Sequence, residues 1–252
     1  MNNDIISPEN LVYAKPELMN DTTMHYCPGC SHGVVHKLVA EVIAEMQMEE
    51  KTVGVCPVGC AVFAYRYLDI DWQEAPHGRA PALATAVKRL WPDRLVFTYQ
   101  GDGDLACIGT AESIHALNRG ENIVMIFINN AIYGMTGGQM APTTLVGQVT
   151  TTSPYGRDEA WCGKPIKISE MLATIDGAKF VERVSVDTPA NIRKAKKAIK
   201  ECFQCQLDGK GFGIVEVLST CPTNWGLPPV DALQWLRDNM IPYYPLGNFR
   251  RD

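Results

Sequence analysis

The amino-acid sequence predicts an α/β fold, a mostly parallel central sheet with helices on both faces. Three observations point there. Short apolar, β-rich runs recur along the chain, as strands buried on both faces do. Stretches with helical spacing separate them. One segment, residues 95–130, reads as a whole βαβ unit: an apolar run, a glycine-rich turn, a helical stretch and a second apolar run.

Taken in order, residues 1–23 are polar, carry Pro8 and Pro16, and read as an N-terminal arm that either frays or crosses a partner subunit. Residues 33–46 place Val35, Leu38, Val39 and Val42 on one helical face. Residues 52–55 form a buried strand. A helix then runs to about Leu90 and stops at Trp91-Pro92, because proline cannot continue it. Residues 95–99 are the next strand. Gly101-Asp102-Gly103-Asp104 turns the chain into a helix over 105–118, with Ala106, Ile114 and Leu117 facing inward. Residues 123–128 form a strand that closes on Asn129-Asn130. The Thr-, Gly- and Pro-rich stretch 140–166 loops over the strand ends. Helices over 167–178 and 189–204 flank a strand at 180–184, and 212–218 is the last buried strand. Residues 222–252 carry too much Trp and Tyr for a solvated tail and read as a C-terminal docking tail, packed on this domain or on a partner. The expected organisation is one domain over 1–252.

Composition narrows the class. The chain has 252 residues, 46% hydrophobic, with a net charge of −5. That length suits a single α/β core. No apolar run reaches the roughly 18 residues of a membrane span. The opening, MNNDIISPEN, lacks the basic and apolar regions of a signal peptide. Mild acidity argues against a nucleic-acid surface. Nine cysteines without an export signal read as metal ligands or redox groups in a reducing, cytoplasmic setting.

The chemistry gathers at predicted strand ends. Gly101 and Gly103 permit a tight turn and let backbone N–H groups approach a phosphate. The following helix points its positive end at the same place. Asp102 and Asn130 offer hard oxygens, which suit Mg²⁺. The implied ligand is a diphosphate held through that ion. Cys27-Pro-Gly-Cys30 precedes the first helix and leaves three readings: a redox dithiol, zinc, or an iron–sulfur cluster completed by later cysteines. Cys56 and Cys60 follow the first strand; one of the two is a ligand, with Cys60 preferred because it follows the flexible Gly59. Cys221 ends the last strand. Cys107, Cys162, Cys202 and Cys205 read as structural, and His25, His32 and His36 as hydrogen-bonded structural histidines. Arg79, at a helix start, is suited either to a phosphate or carboxylate or to a surface ion pair. Thr136 and Gln139, in a glycine-rich loop, are placed to bond a diphosphate.

GDG closed by a pair of asparagines resembles the thiamine diphosphate motif, and with it a thiamine diphosphate-binding fold. The resemblance implies Mg²⁺ at Asp102, Asn130 and the Ile132 carbonyl. The fuller series is Cys-Pro-Gly-Cys, Gly59-Cys60, His77-Gly-Arg-Ala80, GDGD, the asparagine pair, Thr136-Gly-Gly-Gln139 and Cys221-Pro-Thr. From about His25 to Gly226 it resembles the β subunit of 2-oxoacid:ferredoxin oxidoreductases, of the 2-oxoglutarate or 2-oxoisovalerate type. That implies a [4Fe-4S] cluster on Cys27, Cys30, Cys60 and Cys221. It implies cofactor contacts at Val58, Gly59, Cys60, Ala61, His77, Gly78, Arg79, Ala80, Gly103, Asp104, Gly134 and Met135. Catalytic work would fall on His77, Arg79 and Thr136. Many members carry Lys where this chain has Gly137, which puts the substrate in question and leaves its carboxylate to Arg79 or a partner. The family reaction is coenzyme A-dependent oxidative decarboxylation of a 2-oxoacid, with electrons passing to ferredoxin. The implied partners are an α subunit supplying the pyrimidine-activating glutamate and further γ and δ subunits, the latter ferredoxin-like. A non-redox thiamine enzyme with structural cysteines and a zinc-binding interaction module are the rival readings.

Overall fold

The computed structural model describes residues 7–252. Its strands are β1 (Thr52–Cys56), β2 (Asp71–Glu74), β3 (Leu95–Gly101), β4 (Val124–Asn129), β5 (Ala178–Ser185), β6 (Phe212–Leu218) and β7 (Gly247–Arg251). They form one sheet in the order β2-β1-β3-β4-β6-β5-β7. Every pairing is parallel except β5 with β7. The mostly parallel α/β sheet expected from the sequence is therefore present.

Side-chain alternation sends each strand's residues to two cores. Leu95, Phe97 and Tyr99 pack with helices α1 (His32–Glu45) and α6 (Pro189–Leu207) on one face. Val96 faces the other way, among α2 (Ala80–Leu90), α3 (Thr110–Asn118) and α5 (Ile168–Ala173). Burial on both faces explains why β1, β3, β4 and β6 read as continuous apolar runs.

Four departures from the sequence reading have local causes. β2 was not expected; its residues are largely exposed, so the apolar pattern that marks the other strands is missing. β7 was read as tail, yet it adds an antiparallel edge strand to β5. The helix after the GDGD turn does not start at Leu105. Residues Asp104–Ile108 form a widened turn, and regular helix begins at Thr110. The helix expected over 167–178 ends at Ala173, and the strand starts early at Ala178. Gly177 lets this turn pass close to the end of α3, since a Cβ there would lie 1.8 Å from the Leu117 carbonyl oxygen.

After β6 the chain runs through α7 (Pro222–Trp225), the short helix Glu159–Cys162 (α4) having come earlier, and then α8 (Pro229–Trp235). A widened turn, Leu236–Met240, and α9 (Ile241–Tyr243) complete the path to β7. Leu236, Met240 and Tyr244 bury themselves against Ala131, Leu145 and Leu218. No helix among the described residues is long and apolar enough to cross a membrane.

A buried ionic knot ties this packing to the end of β4. Arg183 Nε lies 2.9 Å from Glu216 Oε2, with both side chains wholly buried. Arg183 also bonds Glu170 and the Pro245 carbonyl. Asn129 Nδ2 donates to Glu216 Oε1 at 2.8 Å. Removing one member of such a group leaves a buried charge short of partners. Glu216→Ala should therefore cost about 3–5 kcal/mol, read as a lower denaturation midpoint; a loss within about 0.5 kcal/mol, the range of ordinary surface changes, would show the knot to be dispensable.

Candidate active site

The strand order reverses between β1 and β3, since the chain goes from β1 out to β2 and returns to the other side. Open parallel sheets bind ligands in the crevice outside the carboxyl ends at such a point. The segments leaving β1, β3 and β4 meet there around a cavity of about 170 Å³.

Asp102 leaves β3 into this crevice and is almost fully buried. Thr143 Oγ donates to its Oδ2 at 2.6 Å, and the Gly103 and Ile132 backbone N–H groups donate at 2.9 and 3.1 Å. Burial nevertheless dominates and pushes its carboxyl up to about 6. A buried carboxylate held above its usual range is stabilised by a cation.

The neighbouring atoms suit one. Asn130 Oδ1 lies 3.3 Å from Asp102 Oδ2 and 2.7 Å from the Ile132 carbonyl oxygen. The Ile132 N–H donates to both Asp102 Oδ2 and Asn130 Oδ1, at 3.1 and 3.3 Å, and the Ile132 carbonyl stands beside them. A carboxylate, a side-chain amide and a backbone carbonyl thus meet at one point of the crevice. Adjacent ligands of an octahedral Mg²⁺ lie roughly 2.9 Å apart at a metal–oxygen distance of about 2.1 Å. The residues present therefore fit a hard divalent ion.

The backbone that presents the Ile132 carbonyl is held in an uncommon shape. Ala131 sits at φ 57°, a left-handed conformation rarely taken by residues with a Cβ. Thr144 Oγ1 and Gln148 Nε2 donate to its carbonyl, and Asn129 Oδ1 accepts from its N–H. Asn129, the first of the asparagine pair, thus fastens the loop to the Glu216 knot, while Asn130 faces the crevice.

Gly103 has an ordinary backbone, but Tyr133 lies against it. A Cβ there would lie 2.0 Å from the Tyr133 ring. Asp104 binds the neighbouring loops. Its Oδ1 accepts from His77 Nδ1 at 2.6 Å, from Gly78 N at 2.8 Å and from Val58 N at 3.4 Å. Gln100 Nε2 donates to its Oδ2 at 2.6 Å.

Of the residues expected to touch the cofactor, Val58, Gly59, Cys60 and Ala61 line the cavity from β1. His77, Gly103, Asp104, Gly134 and Met135 line it as well, as does Thr136. Gly78 and Ala80 do not line it; Gly78 meets Asp104, and Ala80 is buried at the start of α2. Arg79 lies outside too. Its guanidinium bonds the Ile108 carbonyl and Glu112, each at 3.0 Å. Thr136 and Gln139 bond each other rather than open space.

A second cavity, of about 210 Å³, lies beside the first. Cys27, Cys30, Cys60 and Cys221 all line it. Cys60, Asn130, Gly134 and Met135 line both cavities and so form the wall between them. A Cβ on Gly134 would lie 3.1 Å from Cys60 Sγ and 3.6 Å from Cys221 Sγ, so two of the sulfurs close on one backbone position. Burial pushes the Cys30 and Cys60 thiols up to about 11 and 12. Metal binding would displace those protons. Among the described residues no three His, Cys, Asp or Glu side chains converge on a single-ion site. The donor set and the space between the thiols fit a sulfur-ligated cluster. Cys56 is buried at the end of β1 and does not line the cavity, whereas Cys60 does. Cys107, Cys162, Cys202 and Cys205 lie elsewhere.

The three early histidines each have a tyrosine partner. His25 bonds Tyr67, His36 bonds Tyr26 and His32 bonds Tyr99. Burial pushes the His32 ring down to about 3, so it is neutral. His32 also lines the first cavity, which the sequence reading missed. Thr143 and Gln100 were missed as well. Gln100 shares a strand face with Thr98, a signal visible in the alternation of β3; Thr143 had none, being brought in by a long loop.

Comparison with known proteins places the chain. Residues 57–217 match the thiamine pyrophosphate enzyme family, in its C-terminal thiamine pyrophosphate-binding domain. The ketoisovalerate oxidoreductase subunit VorA of Methanothermobacter thermautotrophicus is 48% identical over 95% of this chain and 52% of its own length. The 2-oxoglutarate synthase subunit KorB of Archaeoglobus fulgidus is 39% identical over 85% of this chain and 76% of its own. This chain thus spans about half the length of the VorA relatives it matches. In fold it superposes on a chain of the 2-oxoglutarate:ferredoxin oxidoreductase from Magnetococcus marinus with a TM-score of 0.81, at 24% identity, covering 97% of this chain and 87% of that one. The chain belongs to the thiamine pyrophosphate enzyme family, in the group formed by the thiamine-binding subunits of 2-oxoacid:ferredoxin oxidoreductases.

Proposed function

We propose that this chain is the catalytic β subunit of a coenzyme A-dependent 2-oxoacid:ferredoxin oxidoreductase. One observation carries the reading: the oxygen-lined and sulfur-lined cavities share a wall made by Cys60, Asn130, Gly134 and Met135. Decarboxylation leaves electron density on carbon, and oxidation of that carbon needs an acceptor close by.

When bound, thiamine diphosphate supplies the electron sink for decarboxylation. Asp102, Asn130 and the Ile132 carbonyl would hold its Mg²⁺. Asp104 and Gln100 keep the β1 and His77 loops in place around it. His77 donates Nδ1–H to Asp104, which leaves Nε2 for a bound group at the cavity wall. Thr136 offers a hydroxyl at the rim. Arg79 would have to leave Glu112 to meet a substrate carboxylate, so that contact falls more naturally to a partner chain. Cys27, Cys30, Cys60 and Cys221 would ligate a [4Fe-4S] cluster that takes the electrons on to ferredoxin.

No glutamate lines the first cavity among the described residues. Thiamine enzymes need one beside the aminopyrimidine, so an α subunit would supply it. The chain purified alone should therefore show no 2-oxoacid decarboxylation, and turnover by the isolated chain would refute the shared site. The greater identity with a ketoisovalerate subunit than with a 2-oxoglutarate subunit favours a branched-chain acid. The deciding experiment is ferredoxin or viologen reduction by the complete complex with coenzyme A and a panel of 2-oxoacids. Branched-chain acids should give the highest kcat/KM, and no reduction with any 2-oxoacid would defeat the proposal.

A further inference from the structure

We infer that Asn224 is a positioning residue that joins the cofactor loop to the sulfur of Cys221 and so sets the reduction potential of the iron–sulfur cluster. The inference rests on the reading of Cys221 as a cluster ligand. Asn224 Nδ2 donates to the Gly134 carbonyl at 2.9 Å and to Cys221 Sγ at 3.3 Å. An amide nitrogen has two hydrogens, and both are in use. Among the described residues no other side chain donates to any of the four cavity-lining sulfurs. The other side of the amide lies against Gly138, where a Cβ would come within 3.2 Å of its Oδ1.

The Asn224 amide N–H pointing at Cys221 Sγ places positive hydrogen against this sulfur and so favours negative charge on it. A cluster that accepts an electron places more negative charge on its thiolates. An N–H aimed at one of them stabilises the reduced state and raises the potential. Potentials of iron–sulfur clusters depend on such hydrogen bonds and on solvent exposure.

The same nitrogen holds Gly134, which lines both cavities. Any shift of the Gly134 carbonyl on cofactor binding moves the amide against the sulfur. Cofactor occupancy and cluster potential are then linked, and linkage is reciprocal: the charge on the cluster feeds back on cofactor affinity. A single side chain thus reports the state of the carbon chemistry to the electron acceptor.

The test uses the full chain in the complex with which it purifies, prepared anaerobically as wild type, Asn224→Leu and Asn224→Asp. Leucine keeps the size and removes the donor. Aspartate keeps the shape and puts a carboxylate beside the sulfur. Iron, acid-labile sulfide and visible absorption should match wild type, because no ligand is changed. Redox titration followed by electron paramagnetic resonance should give a lower midpoint for Asn224→Leu and a lower one still for Asn224→Asp. Adding magnesium and thiamine diphosphate should shift the wild-type midpoint, and Asn224→Leu should lose most of that shift. A fully loaded variant with an unchanged midpoint overturns the tuning role. A cofactor-induced shift preserved in Asn224→Leu overturns the coupling. If the leucine variant loses its cluster, the aspartate variant decides by the same readings. Wild-type chain without iron would instead defeat the Cys221 reading, and that result appears before any variant is compared.

Discussion

Asn in place of Asp102 should abolish magnesium-dependent binding of thiamine diphosphate while making the cation-free protein more stable. The two effects have one cause. Asp102 is a carboxylate taken out of water, and among the described residues its hydrogen-bond partners are a hydroxyl and two backbone N–H groups, none of them a cation. Its oxygen faces Asn130 Oδ1 and the Ile132 carbonyl, so the charge is the main attraction for a divalent ion. Truncating one partner of a buried charge pair costs about 2–5 kcal/mol, which is roughly 30-fold to several thousand-fold in affinity. Calorimetric titration with magnesium and thiamine diphosphate reads the loss directly.

The stability gain follows from burial. The carboxyl is raised from 3.8 to about 6, so the folded chain holds its proton more tightly than the unfolded chain. Stability of the cation-free protein therefore falls as pH rises from about 4 to about 6, by about 3 kcal/mol for a difference of this size. Asp102→Asn removes the titrating group, so the variant should not show that decline in denaturation midpoint. Unchanged magnesium-dependent affinity would remove Asp102 from the cation site, whatever the stability result.

The second large effect is on the sulfur side. Cys221→Ala should bleach the cluster's visible absorption and stop ferredoxin reduction, while changing thiamine diphosphate affinity far less than Asp102→Asn does. The separation is expected because Cys221 lines only the second cavity, whereas Asp102 lines only the first. Cys56→Ala makes the control. Cys56 sits in β1, buried among core residues, and should lose stability without losing iron. Large-to-small changes in a packed core typically cost a few kcal/mol at most for so small a side chain. If Cys56→Ala loses the cluster and Cys60→Ala keeps it, the ligand set must be redrawn. Replacing Cys60 should disturb both cavities, since its side chain stands in their common wall.

Much of the fold was legible because the chemistry of a doubly covered sheet is local. Residues Leu95–Gly101 and Val124–Asn129 announce themselves by unbroken apolar runs, and Gly101-Asp102-Gly103 marks the turn between them. The edge strands were not legible. β2 is mostly exposed and β7 is an addition at the rim, so neither carries the burial pattern that betrays a central strand. The helix after the turn was placed too early, because the widened turn at Asp104–Ile108 answers to Gly109, whose position lies against Gly78 and the Asp104 carbonyl. Gly78 belongs to a segment far away in sequence.

By itself, the sequence determined the kind of chemistry: hard oxygens and glycines at two strand ends, and cysteines at others, in an order that few chains share. Residue type and strand-end position are properties of a short stretch of chain, and a short stretch suffices to state them. Only the tertiary structure decided which groups meet. It turned Cys60 rather than Cys56 toward the other thiols, drew Arg79 off to Glu112, and made Asp104 a brace for two loops. It also brought Thr143 to Asp102 and set Asn224 between Gly134 and Cys221. The physical reason is that hydrogen bonds and cavity walls depend on distances of a few ångströms between residues far apart along the chain, and packing of the whole sheet with its loops sets those distances.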